Sequence, residues 1–126
     1  MGETASSLPP ERPPIDAYGD LGFRIRGARH EGSQLILPAA ITSWPVSAME
    51  ELRTEHLAAI AEIAAEIEIL ILGTGIKFVR PAPDIRFAVE RAGIGLEAMD
   101  TGAACRTYNV LLAERRRIAA ALIAVP

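Results

Sequence analysis

Ile67-Glu68-Ile69-Leu70-Ile71-Leu72 runs directly into Gly73-Thr74-Gly75, and the fold turns on this stretch. Only Glu68 interrupts the apolar run, which suits a strand covered on both faces and ending in a glycine turn. Downstream, Pro83-Asp84 opens a helix and Gly93 closes it, with Ile85, Ala88, Val89 and Ala92 on one face. Ile94–Met99 then reads as a second strand. Asp100 caps a third helix, on which Ala104, Tyr108 and Leu111 align. Arg117–Val125, rich in Ile, Leu, Val and Ala, is the last strand. Upstream, Leu57, Ile60, Ala61 and Ala64 fall at helical spacing, with Thr54 as an N-cap and no capping box. The order strand-helix-strand-helix-strand implies parallel pairing through right-handed crossovers.

The N-terminal half is of a different kind. Met1–Pro14 holds four prolines and little to bury, so it reads as a disordered leader, with one domain from residue 15 to 126. Phe23 and Ile25, then Leu35-Ile36-Leu37, flank the polar stretch Gly27–Gln34 and suggest a hairpin with a long turn. Ile41–Val46 reads as a short strand that Pro45 restricts to an edge. The expected class is α/β: one three-layer domain, a central mixed or parallel sheet, helices on one side and an N-terminal β-hairpin layer on the other.

Composition excludes several functions. The 126 residues carry a formal charge of −3, which offers no electrostatic reason to bind nucleic acid. Half of the residues are hydrophobic, but no run is long enough to span a bilayer as a helix, so an integral membrane protein is not expected. Lys77 is the only lysine among 13 basic residues, a bias that fits a GC-rich bacterial genome, and the expected location is the bacterial cytoplasm. The single cysteine cannot form an internal disulfide, which fits a reducing compartment. Met1-Gly2 followed by Ser6 formally matches a myristoylation pattern, but the pattern is short and common by chance.

Two parallel strands end at the same edge of a sheet, so the loops after Leu72 and Met99 should meet there. Gly75 and Thr101 are then expected within a side chain's reach. The polar groups converging there form a binding crevice: Gly73, Thr74 and Gly75 on one loop, and Asp100, Thr101, Cys105, Arg106, Tyr108 and Asn109 on the other. Gly73-Thr74-Gly75 is not a phosphate loop, because Ile76-Lys77-Phe78 follows where Lys-Ser/Thr is required. Nor is it a dinucleotide fingerprint, since Phe78 stands in the place of the third glycine. A tight turn is the plainer account.

Cys105 has no histidine near it in sequence to act as a base, so it is not expected to be catalytic, although a helix N-terminus can favour a thiolate. No metal-ligand spacing or Gly-x-Ser-x-Gly elbow is present. No catalytic residue, metal or cofactor is therefore expected. Arg115-Arg116-Arg117 reads as a solvated helix end. Thr107, Tyr108 and Asn109 are weak helix formers inside a helix, a conflict expected where residues serve a site or a buried hydrogen-bond network. Tyr108 and Asn109 therefore either line the site or hold the backbone of the glycine loop.

The residues Leu70–Gly75, Met99-Asp100-Thr101, Ala104–Leu112 and Arg116–Leu122 together resemble a small α/β family long labelled a domain of unknown function. Its eukaryotic members include the mitochondrial NADH dehydrogenase (complex I) assembly factor three. The resemblance extends over roughly Ile15–Val125 and implies a three-layer fold. It also implies protein partners such as respiratory-complex subunits or assembly factors, an inner-membrane location reached through them, and no catalytic residues to carry over. Where this chain has Arg115, the family often has a glycine that closes the third helix. On this basis the chain is expected to be a non-enzymatic interaction or assembly protein linked to respiratory complex I. The rival expectation is a small-molecule binder or enzyme working between Gly73–Gly75 and Asp100–Asn109, and a third is a homo-oligomeric scaffold.

Overall fold

The apolar run becomes an interior strand of a five-stranded sheet in the computed structural model, which describes residues 13–126. The leader expected over residues 1–14 lies, apart from Pro13 and Pro14, outside the described residues. The elements are β1 (Ile15–Gly19), β2 (Gly22–Ile25), β3 (Ala28–Glu31), β4 (Gln34–Leu37), β5 (Ala40–Ser43), α1 (Ala58–Glu62), β6 (Ile69–Gly73), α2 (Pro83–Arg91), β7 (Gly95–Met99), α3 (Thr101–Ala113) and β8 (Ile118–Leu122). The main sheet has the order β5-β4-β8-β6-β7. Strand β6 pairs in parallel with both β7 and β8, and β4 pairs antiparallel with β8 and β5.

The chain leaves β6 for β7 through α2, then returns across β6 to β8 through α3. Right-handed crossovers taken in opposite directions must put their helices on opposite faces of the sheet. The core divides accordingly. Leu57, Ile60, Ile85 and Val89 pack with Leu70 and Leu72 on one face. Ala104, Cys105 and Tyr108 pack with Phe23, Ile25 and Ile71 on the other. The α/β class and three layers are as expected, but the layering differs in one respect. Helix α3 lies on the side of the N-terminal strands, so the helices do not share one side.

The N-terminal layer also corrects the expected hairpin. Strands β1, β2 and β3 form a separate antiparallel sheet in that order, and Leu35–Leu37 joins the main sheet instead of pairing with Phe23–Ile25. Ala28-Arg29-His30-Glu31 has no apolar alternation and is mostly exposed, so it carries no strand periodicity. The signal it does carry lies in the turns: Asp20 and Leu21, then Arg26 and Gly27, all take positive φ, as two-residue hairpin turns of the primed type require. Strand β5 is an edge strand as expected, with Pro45 just beyond it.

The first helix is shorter than its periodicity suggests. Residues Thr54–Leu57 form a 3₁₀ turn, α1 covers Ala58–Glu62, and a further 3₁₀ turn covers Ala64–Glu66. Arg53, not Thr54, is the cap residue, and its backbone N–H donates to His56 Nδ1 at 2.9 Å.

The arginine run has structural duties. Arg116 donates to both carboxylate oxygens of Glu68, and the Arg117 backbone N–H donates to the same carboxylate. Glu68, the charge that interrupts the apolar run, thus sits just outside β6 and ties the starts of β6 and β8 together. These bonds hold its carboxyl below the usual range, with the Arg116 contact the larger cause.

Arg115 closes α3 with φ +62°, a left-handed conformation that disfavours any side chain. Arg115→Gly is therefore expected to raise stability by up to about 1 kcal/mol, the relief of that strain less the entropy glycine adds to the unfolded chain. A thermal melt checks this; a lower melting temperature would mean that the arginine side chain outweighs its backbone strain.

Candidate functional site

The three parallel strands β7, β6 and β8 end together at Met99, Gly73 and Leu122, and Thr101 stitches their following loops into one unit. Its hydroxyl accepts from the Gly75 backbone N–H at 2.9 Å and donates to the Ile123 carbonyl at 2.7 Å. Its own backbone N–H donates to the Gly75 carbonyl at 2.8 Å. Two further bonds complete the junction, Thr74 N–H to the Met99 carbonyl at 2.8 Å and Ile123 N–H to the Gly73 carbonyl at 3.0 Å. Gly75 and Thr101 therefore meet as expected.

The meeting is tight. A Cβ on Gly73 would lie 3.0 Å from Thr101 Oγ1 and Leu122 Cδ2, and Gly73, Thr74 and Thr101 are all buried. Gly75 carries the positive φ of the turn, +111°. Asp100 caps α3 by accepting from the Ala103 N–H at 2.9 Å. Thr74 shapes the loop that follows: its hydroxyl donates to the Lys77 carbonyl at 2.7 Å and accepts from the Val79 N–H at 3.1 Å.

The remaining candidates lie elsewhere on α3. Tyr108 is seven residues beyond Thr101, about 10 Å along the helix axis, too far to hold the glycine loop. Tyr108 is fully buried, and its hydroxyl donates to the Pro13 carbonyl at 3.2 Å. The Asn109 side chain brackets Ile15, accepting from its N–H at 2.9 Å and donating to its carbonyl at 2.8 Å. Both residues thus dock the N-terminal segment at Pro13 and Ile15 onto α3, and of the two alternatives weighed for them the contact with Gly73–Gly75 is not made. The helix-propensity conflict over this stretch has its cause in that buried network.

Arg106 is exposed and reaches toward the Tyr18 hydroxyl at 3.5 Å. Tyr18 lies over the first turn of α3, where a Cβ on Gly102 would come within 2.5 Å of its hydroxyl oxygen. Asp16, Tyr18, Cys105, Arg106 and Asn109 line a shallow cavity of about 320 Å³ beside β1. Tyr18 escaped the sequence reading because it comes from β1, far along the chain, and only the docking of that strand brings it to α3.

Cys105 sits in the core with its thiol pushed up to about 12 by burial, which outweighs the nearby Arg106 charge. The helix start therefore does not favour a thiolate here. His56 belongs to the segment on the opposite face of the sheet, where its Nδ1 is engaged by Arg53. Iodoacetamide should therefore label folded protein slowly at every pH below about 10, and fast labelling near neutrality would contradict this burial. The folded thiol ionises later than the unfolded one, whose reference value is 9.0. The thiol's contribution to stability is then constant below pH 9 and lost as pH rises toward 12. Cys105→Ala should flatten that alkaline decline in a pH series of melts. Among the described residues, no group of three or more His, Cys, Asp or Glu is placed to hold a metal ion.

The two-sheet α/β architecture is that of the Mth938-like domains. A Bordetella pertussis protein described as such a domain is similar at TM-score 0.79 and 28% identity, over 98% of this chain and 90% of its own. A Bartonella henselae protein described as an outer membrane protein is similar at TM-score 0.88 and 39% identity, over 94% of this chain and 100% of its own. Residues 15–123 match the family described as "Protein of unknown function (DUF498/DUF598)", and the chain belongs to that family.

Among curated relatives, the Xenopus tropicalis NADH dehydrogenase [ubiquinone] 1 alpha subcomplex assembly factor 3 is 38% identical over 86% of this chain and 60% of its own length. An uncharacterised Rhodobacter capsulatus protein is 37% identical over 90% of this chain and 86% of its own. The chain spans about three-fifths of the vertebrate assembly factors it matches. The family thus includes proteins named for complex I assembly. No helix among the described residues is long and apolar enough to cross a membrane.

Proposed function

We propose that this chain is a non-enzymatic interaction protein that assists assembly of respiratory complex I, reaching the inner membrane through its partners. The observation that carries this reading is the 38% identity to a protein named as a complex I assembly factor, spread over 86% of the chain. In this proposal the junction Gly73, Thr74, Gly75, Asp100 and Thr101 sets the shape of the partner-facing edge. Cys105, Tyr108 and Asn109 hold α3 and β1 behind it. Arg106 supplies the charge, since an exposed guanidinium can grip a carboxylate on a partner loop through paired N–H donors. Tagged chain isolated from native membranes and cytosol should enrich complex I subunits or assembly factors. Enrichment of neither, with the tagged chain folded, would count against the reading.

The 320 Å³ cavity at Arg106 favours a second reading, in which a small carboxylate-bearing molecule binds there. A metabolite thermal-shift screen separates the two. Under either reading Arg106→Ala should leave the melting temperature within about 1 °C, as expected for an exposed side chain, and weaken capture or ligand binding. Asn109→Ala should lower the melting temperature itself, because the polar groups of Ile15 lose their partners at about 1–3 kcal/mol. If Arg106→Ala unfolds the chain while the surviving folded fraction binds normally, Arg106 is structural.

A further inference from the structure

The junction around Thr74 holds in place a loop that the proposed function does not use. Ile76-Lys77-Phe78-Val79-Arg80 is exposed at all five positions. Ile76 is 70% and Phe78 55% accessible, fractions unusual for side chains of that size. The loop is fixed at both ends, by Gly75 on Thr101 and by Val79 on the Thr74 hydroxyl. Its apolar side chains are therefore presented to solvent by a braced backbone.

Charge identifies what such a loop fits. Ile76–Arg91 carries four basic and two acidic side chains, a positive segment in a chain of net charge −3. No acidic residue occurs between Gly75 and Pro83. Glu50 of the neighbouring segment lines a groove together with Val79 and Arg80. On α2, Glu90 is already bonded to Arg86, and Arg91 lies over the exposed Phe87 ring, 5.8 Å from its centroid. Basic groups interleaved with aliphatic and aromatic ones match the boundary of an anionic bilayer, where phosphates meet acyl chains. A protein receptor for Ile76 and Phe78 would need a complementary cleft, whereas a bilayer needs none.

We propose that the Ile76–Arg80 loop is a peripheral docking surface for anionic phospholipid. Ile76 and Phe78 would enter the headgroup boundary while Lys77 and Arg80 contact lipid phosphates. This contact is independent of the complex I reading and does not require a protein partner.

Flotation of the purified full chain with vesicles tests it. Wild-type protein should float with phosphatidylglycerol-containing vesicles at low salt, should not float with pure phosphatidylcholine, and should be released by high salt. Phe78→Ser should abolish flotation. The double variant Lys77→Gln, Arg80→Gln should lower partitioning about 25-fold, at roughly fivefold per basic side chain. All of these side chains are exposed, so melts of the variants should match wild type. Absence of wild-type flotation on phosphatidylglycerol overturns the proposal, as does unchanged flotation of folded variants. Loss of a captured protein by Phe78→Ser without any vesicle binding by wild type would make the loop a protein interface instead.

Discussion

Thr101→Val is expected to lower the melting temperature by about 8–20 °C, a loss of about 2–5 kcal/mol at about 4 °C per kcal/mol for a domain of this size. Valine keeps the shape of threonine but removes the one oxygen shared by the Gly75 N–H and the Ile123 carbonyl. Thr101 is fully buried, so water cannot replace that oxygen without the junction opening. A buried polar group stripped of its partner costs about 1–3 kcal/mol, and here there are two. Thr101→Ser retains the hydroxyl and should cost about 1 kcal/mol for the missing methyl. A valine variant that melts within about 2 °C of wild type would mean that the three strand ends do not depend on this hydroxyl.

Tyr108→Ala should be at least as damaging, at about 3–5 kcal/mol, because it empties the centre of the second core cluster. The ring lies in the same fully buried group as Phe23, Ile25 and Ile71, between α3, the main sheet and the N-terminal sheet. Phe23 and Ile25 of the N-terminal sheet pack into the same cluster, so the loss should loosen β1–β3 before the five-stranded sheet. Tyr108→Phe keeps the ring and gives up the bond to the Pro13 carbonyl, which should cost about 1 kcal/mol. Denaturant melts of the two variants, with amide exchange on β1–β3, separate packing from hydrogen bonding. Equal destabilisation by both would show that the hydroxyl, not the ring, dominates.

Where the sequence was legible, the reason was local chemistry. The Ile67–Leu72 run, the Pro83-Asp84 start, the Gly93 stop and the Asp100 cap each mark an element through its own residues, and β6, α2, β7 and α3 appear where those marks stand. The meeting of Gly75 and Thr101 followed from parallel topology alone. The N-terminal sheet was not legible in the same way. Strand β3 is largely exposed and polar, and β4 is claimed by β8 from the far end of the chain. The duties of Tyr108 and Asn109 were hidden for a related reason: their partners, Pro13 and Ile15, lie more than ninety positions away. The opposite placement of α2 and α3 was implicit in the crossover rule once the order β8-β6-β7 is known, but that order is set by tertiary packing.

The measurement that bears most directly on the proposed role is the amount of assembled complex I in cells of the native host lacking this chain. Native gel electrophoresis of membranes, stained for NADH dehydrogenase activity, reads it. The expected result is loss of the assembled complex with accumulation of subassemblies, restored when the wild-type chain is returned. Fully assembled, active complex I at wild-type abundance in the deletion strain would contradict the assembly role.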